Sequence, residues 1–404
     1  MYAEETATVS AELLELEELY GAHNYHPLNV IIERASGAWV YDVDGKQYLD
    51  FLAAYSAVNQ GHCHPAILKA MTEQAARVTI TSRAFRNDQL PLLYRDLHEI
   101  TGFEMALPMN SGVEAVETSL KAARKWGETV KGVPAGQGEI IVCGNNFHGR
   151  TISVVGFSSE QQYKTGFGPF PTGFRTIPFG DAAALTNAIT PNTVAFLVEP
   201  VQGEAGIIVP PDGYLKAVAA ICREHRVLLM CDEIQSGLGR TGAMFAFEHE
   251  GIRPDVVTIG KALSGGFYPV SAMLASKEVL GVFSPGDHGS TFGGNPLACA
   301  VARAALKVIV DEKLAQRSKE LGAFALQRLQ GLRSARIVEV RGKGLWIGIE
   351  LNTKARPICE ALQLRGVLCK ETHDNVIRLA PPLTISREDL SWGLDQIAAV
   401  LEAA

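Results

Sequence analysis

The chain has 404 residues, of which 20% are charged and 47% hydrophobic, and a formal net charge of -7. That length exceeds what one hydrophobic core usually fills, so more than one structural unit is expected. An acidic balance without a basic stripe excludes the electrostatic footprint of a nucleic-acid or anionic-membrane binder and leaves a small molecule as the expected partner.

The opening MYAEETATVSAELLELEELY is acidic, lacks the basic start of a secretory signal and the Arg/Ser richness of a transit peptide, and reads as a short amphipathic helix. No apolar run approaches the roughly 20 residues that span a bilayer, so no membrane association is expected. The seven cysteines are scattered and include no C-x-x-C pair, which suits a reducing, cytoplasmic setting. His62 and His64 form an H-x-H on a loop, but without further ligands at suitable spacing the segment is expected to be structural and no metal is expected.

Next in the chain, Gly112 to Trp126 carries Val113, Val116, Leu120 and Trp126 roughly on one helical face. Four apolar runs without alternation follow: EIIVC (139–143), TVAFLV (193–198), VLLMC (227–231) and VVTIG (256–260). Such runs suit strands covered on both faces, and GYLKAVAAICREHR between the second and third makes a strand–helix–strand unit of a parallel sheet. Past residue 300 a long helical region leads into one strand, RIVEVRGKGLWIGIEL, then VIRLAPPL and a helix opened by Ser386 and Asp389 in a capping-box arrangement. The expected division is an N-terminal segment (1–55) covering the active site, a large domain (56–300) with a mostly parallel α/β sheet, and a smaller α+β domain (301–404).

GLGRTG at 237–242 matches the dinucleotide fingerprint literally, yet Asp232 and Glu233 intervene between the strand and the first glycine, and little room follows for a crossover helix. The acids carry more information. Asp232 ends one buried strand and Lys261 follows the next, so two strands deliver an acid and a desolvated amine to one rim, where open α/β sheets bind ligands. An ion pair at the sheet edge would use the same two residues. So would pyridoxal phosphate, whose aldehyde condenses with a lysine and whose pyridine nitrogen takes a carboxylate. NSGVEAVE (110–117) could supply phosphate-binding amides at a helix N-terminus, or be an ordinary helix cap.

Taken together, CDEIQSGLGRTG, the lysine of TIGKALSGG, NSGVEAVE, VEPVQGEAG and HGSTFGGNP resemble the class III, pyridoxal-phosphate-dependent aminotransferases over nearly the whole chain. YGAHNYHPLNV and SAVNQGHCHP are similar to the branch of that family acting on ornithine. The resemblance implies a fold-type-I architecture and pyridoxal 5'-phosphate as cofactor. Lys261 would hold the cofactor and shuttle a proton, Asp232 would pair with its ring nitrogen, Gln235 would lie near its phenolic oxygen and Phe147 would stack on it. Ser111, Gly112 and Val113 would take the phosphate, joined by Ser290 and Thr291 from a second subunit, which makes a homodimer the expected unit.

The same resemblance implies L-ornithine and 2-oxoglutarate as substrates. Arg150 would bind a substrate carboxylate, Arg378 would be masked by Glu204 in one half-reaction and freed in the other, and Tyr25 and Tyr55 would line the pocket. His148 stands in NNFHGR where relatives often carry a bulky aromatic. Other ω-amine donors (N-acetylornithine, 4-aminobutyrate, lysine) remain alternatives, as does a mutase or racemase on the same fold.

Overall fold

A computed structural model describes residues 9–403. Its centre is a seven-stranded sheet in the order 105–109, 271–275, 256–259, 228–232, 193–198, 139–143, 174–177. The last five run parallel, and Ser271–Ala275 lies antiparallel to both its neighbours. All four apolar runs of the sequence become strands here, and every residue of Thr193–Val198 and Leu228–Asp232 is buried. Helices Gly112–Trp126 and Tyr214–Glu224 cover the sheet through apolar faces that include Val116, Leu120, Leu215 and Val218. The fold class is thus α/β with a mostly parallel sheet.

In the C-terminal third one expectation is refined and one corrected. The long helical region is two helices, Pro296–Asp311 and Leu314–Gln330, separated where Lys313 takes a left-handed conformation. RIVEVRGKGLWIGIEL is a hairpin of Ile337–Gly342 and Ile347–Leu351. It turns at Gly344, where φ is +59° and a Cβ would lie 2.5 Å from the carbonyl carbon of Thr241, so only glycine fits. The hairpin joins Val376–Leu379 and Lys370–Thr372 in a four-stranded sheet. The closing helix, Arg387–Glu402, starts where Ser386 accepts from the Asp389 amide.

A third sheet is non-local. Strands 32–36, 39–42 and 47–50 form a meander whose last member pairs in parallel with Val367–Leu368. The N-terminal strands thereby dock on the C-terminal region. The opening helix is described over Val9–Tyr20, and no residue of it is buried; the expected helical residues 1–8 lie outside the described part of the chain.

Candidate active site

Asp232 ends its strand with both carboxylate oxygens held in place. Oδ1 accepts from the Ile234 amide (3.1 Å) and the Thr258 hydroxyl (3.2 Å), and Oδ2 meets Nδ1 of His148 at 2.6 Å. One strand over, Lys261 follows Val256–Ile259 with φ +41°. Burial draws its ammonium below the usual lysine range, against the opposing pull of Glu204, Asp232 and Glu199. A lysine so placed is readier to present a neutral amine.

Asp232, His148, Glu199 and Lys261 border a cavity of about 320 Å³ together with Gly112, Val113, Phe147, Arg150 and Gln235. Gly112 and Val113 open the helix that Ser111 caps in a capping box with Glu114, and first-turn amides have no acceptor within their own helix. Gly149 permits the tight wall, since a Cβ there would approach Val113 Cβ within 2.5 Å. Amine, anchored carboxylate, aromatic ring and free helix amides fit a phosphorylated pyridine aldehyde, so the residues present suit pyridoxal phosphate. A larger cavity, about 740 Å³ between helices 65–75, 90–101 and 296–311, is lined by none of the residues named for this site.

Arg378 Nη1 lies 2.7 Å from Glu204 Oε2, and its guanidinium carbon sits 4.8 Å from the Tyr55 ring centre. Arg378 is buried. Arg150 differs: among the described residues it has no carboxylate partner, and its guanidinium lies 3.5 Å from the ring centre of Tyr163. Tyr25 and Tyr55 line a separate, mostly apolar cavity of about 450 Å³, where Tyr25 is 79% exposed. Ser290 and Thr291 of the same chain do not border the Lys261 cavity, although Ser290 Oγ accepts from Asn110 at 3.1 Å.

Tyr55 stands on unusual backbone. Ala53, Ala54, Tyr55 and Ser56 all have positive φ, between 47° and 71°. Each non-glycine residue in that region costs ~1–2 kcal/mol, so the turn persists only because its surroundings impose it.

Sequence reasoning missed two participants and the partner of a third. Tyr163 sits in SSEQQYKTG, where no periodic pattern marks it, yet it flanks both Arg150 and, edge-on at 6.3 Å, Phe147. Glu199 accepts from the Phe147 amide at 2.9 Å, and burial pushes its carboxyl up to about 7. His148 was singled out for its position alone, without its partner Asp232. GLGRTG proves structural: Arg240 is fully buried, donating to the Leu345 and Pro381 carbonyls and to Asn59. His62 and His64 point to Asp50 and Glu312 respectively, and among the described residues no cluster of three metal-ligating side chains occurs.

A family model described as "Aminotransferase class-III" matches residues 20–401. The ornithine aminotransferase of Bordetella pertussis is 60% identical over 389 residues, covering 96% of this chain and 94% of that protein. A solved ornithine aminotransferase from Toxoplasma gondii, described with pyridoxal phosphate partially occupying its active site, superposes with a TM-score of 0.96 at 42% identity, covering 98% of this chain and 94% of that one. An acetylornithine aminotransferase from Elizabethkingia anophelis superposes with a TM-score of 0.91 at 46% identity, covering 98% and 100%.

Proposed function

This chain belongs to the class III aminotransferases, and from that premise we propose that it moves the terminal amine of L-ornithine to 2-oxoglutarate. The products are glutamate 5-semialdehyde, which cyclises to pyrroline-5-carboxylate, and L-glutamate. The enzyme depends on pyridoxal 5'-phosphate, which when bound supplies the electron sink for moving a proton at the substrate carbon.

The observation that carries the substrate assignment is the Arg378–Glu204 pair at 2.7 Å beside Tyr55. One pocket must accept a substrate with a cationic distal amine and then a dicarboxylate. A fixed arginine suits only the second. Paired with Glu204, Arg378 is neutralised while ornithine reacts; released, it binds the α-carboxylate of 2-oxoglutarate or glutamate. Arg150 takes ornithine's carboxylate in one half-reaction and the distal carboxylate of 2-oxoglutarate in the other, a task for which its planar fork is suited.

In this reading Lys261 holds the cofactor and, when released, carries the proton, while Asp232 keeps the ring nitrogen protonated. Gln235 and Phe147 fix the ring, and Ser111, Gly112 and Val113 hold the phosphate. Tyr25 contacts the α end of ornithine and Tyr55 walls the pocket. Ser290 and Thr291 of the partner subunit complete the phosphate site, which makes a homodimer the working unit. The scattered cysteines favour a cytoplasmic location. Steady-state turnover with 2-oxoglutarate and L-ornithine, N-acetylornithine or 4-aminobutyrate tests the proposal. A kcat/KM at least tenfold higher for ornithine is expected, and preference for either other donor would refute it.

A further inference from the structure

The left-handed turn at Tyr55 needs an external restraint, and the structure offers one. Asp50 ends the strand Gln47–Asp50 with its backbone amide bonded to the Ala38 carbonyl, so its position is set by the sheet. Its Oδ1 accepts from the amides of Leu52 (2.7 Å) and Ala53 (2.9 Å), the two residues that lead into the turn. Its Oδ2 meets His62 Nε2 at 2.7 Å. His62 is itself tied to Gly37 by two backbone hydrogen bonds, of 2.8 and 3.0 Å. Asp50 is buried, so both of its oxygens act where water competes little.

We propose that Asp50, oriented by His62, is a positioning residue for substrate selection: it holds the left-handed turn that sets Tyr55 against Arg378 and its Glu204 partner. The inference rests on the reading of Tyr55 and Arg378 as substrate-site residues. Two consecutive amides aimed at one carboxylate oxygen fix the direction in which the chain leaves the strand. Without that anchor the alanines and Tyr55 would relax toward right-handed backbone, which moves the phenol from the guanidinium it faces. His62 keeps Oδ2 occupied, so the carboxylate cannot rotate away from the amides.

Because the restraint opposes backbone strain, removing the strain should replace it. Ala54 is exposed and left-handed, with φ +47°, so glycine there loses no buried contact and accepts the conformation freely. The test is a set of holoenzyme variants: Asp50→Ala, Asp50→Ala with Ala54→Gly, Ala54→Gly alone, and His62→Ala. Asp50→Ala removes the acceptor of both amides and is expected to raise KM for L-ornithine about tenfold with kcat within about threefold, and Ala54→Gly to bring KM back to within about threefold of the parent. His62→Ala leaves Asp50 in place and is expected to raise KM about threefold; it serves as the test should Asp50→Ala fail to fold. An unchanged ornithine KM in a folded Asp50→Ala or His62→Ala protein overturns the proposal, as does the failure of Ala54→Gly to rescue.

Amide hydrogen exchange at Leu52 and Ala53 separates this inference from the substrate reading. Faster exchange in Asp50→Ala is expected whichever amine the enzyme prefers. Unchanged exchange would refute the anchor, whereas loss of ornithine preference in the unmodified protein would refute only the substrate assignment.

Discussion

Nδ1 of His148 lies 2.6 Å from Oδ2 of Asp232, and both side chains are buried. Burial alone would lower the histidine's affinity for a proton, but the hydrogen bond and charge of Asp232, with the charge of Glu199, raise it above the ordinary value of 6.5. The folded protein therefore holds this proton more tightly than the unfolded chain does. The pair's contribution is fully present below about pH 6.5 and is lost as pH rises through the raised value. His148→Gln should lower stability by on the order of 2 kcal/mol at pH 6 and by less at pH 9. Thermal unfolding of the cofactor-free protein at both pH values checks this, and an equal loss at both would contradict it. The variant should also bind pyridoxal phosphate more weakly, because Asp232 loses one of its three fixed partners.

Glu233, next to that aspartate, faces the opposite way. Its oxygens accept from the Ser236 hydroxyl (2.6 Å) and the Phe247 amide (2.9 Å), and burial pushes its carboxyl up to about 7. A carboxyl whose folded value is raised lowers stability as pH climbs from about 4.5 to about 7. Glu233→Gln, which keeps both contacts available, should gain on the order of 3 kcal/mol relative to the parent at pH 8 and little at pH 5. Denaturant unfolding at the two pH values decides it; a variant equally destabilised at both would mean the carboxyl is ionised in the fold.

Tyr55 faces Arg378. Tyr55→Ile removes the phenol and its ring contact with the guanidinium while keeping an apolar wall, so preference should move about tenfold from L-ornithine toward 4-aminobutyrate. The ratio of kcat/KM for the two donors reads this out, and an unchanged ratio removes Tyr55 from selection.

Glu204 is the only carboxylate that pairs with Arg378 among the described residues. Glu204→Ala leaves the arginine permanently exposed to the donor pocket. The half-reaction with L-glutamate should speed up, and that with L-ornithine should slow about tenfold, in single-turnover measurements. Slowing of both by the same factor would point to general damage instead of a lost mask.

Lys261 follows the strand Val256–Ile259 and borders the cavity. Lys261→Ala should abolish turnover while leaving thermal stability of the cofactor-free protein within a few degrees of the parent. Substantial residual turnover would remove it from its role.

The parts of this molecule that were readable beforehand share a physical reason. The core strands betray themselves because covering both faces forces every residue to be apolar, and Asp232 and Lys261 then stand out as charges at their ends. Ser271–Ala275 escaped notice because SAMLA is short and its alanines suit helix as well as strand. The hairpin at 337–351 reads as one strand in the sequence because its turn depends on Gly344 fitting against Thr241, a contact between residues remote in sequence. Pairing of Gln47–Asp50 with Val367–Leu368 is likewise invisible to local pattern, being a parallel contact across more than three hundred residues. At the site, Gly112, Val113, Phe147, Arg150, Asp232, Gln235 and Lys261 border one cavity whereas Ser290 and Thr291 of the same chain do not, and Tyr163, Glu199 and the Asp50–His62 anchor act through partners that only the folded chain brings near.

The central claim is that the protein transfers the terminal amine of L-ornithine. Its most direct test is a single-turnover titration of the purified, cofactor-loaded protein with L-ornithine and no keto acid, following the visible absorbance of the bound cofactor. Rapid loss of that absorbance with one equivalent of pyrroline-5-carboxylate per site is the predicted result. No change with ornithine, but bleaching by N-acetylornithine or 4-aminobutyrate, would contradict it.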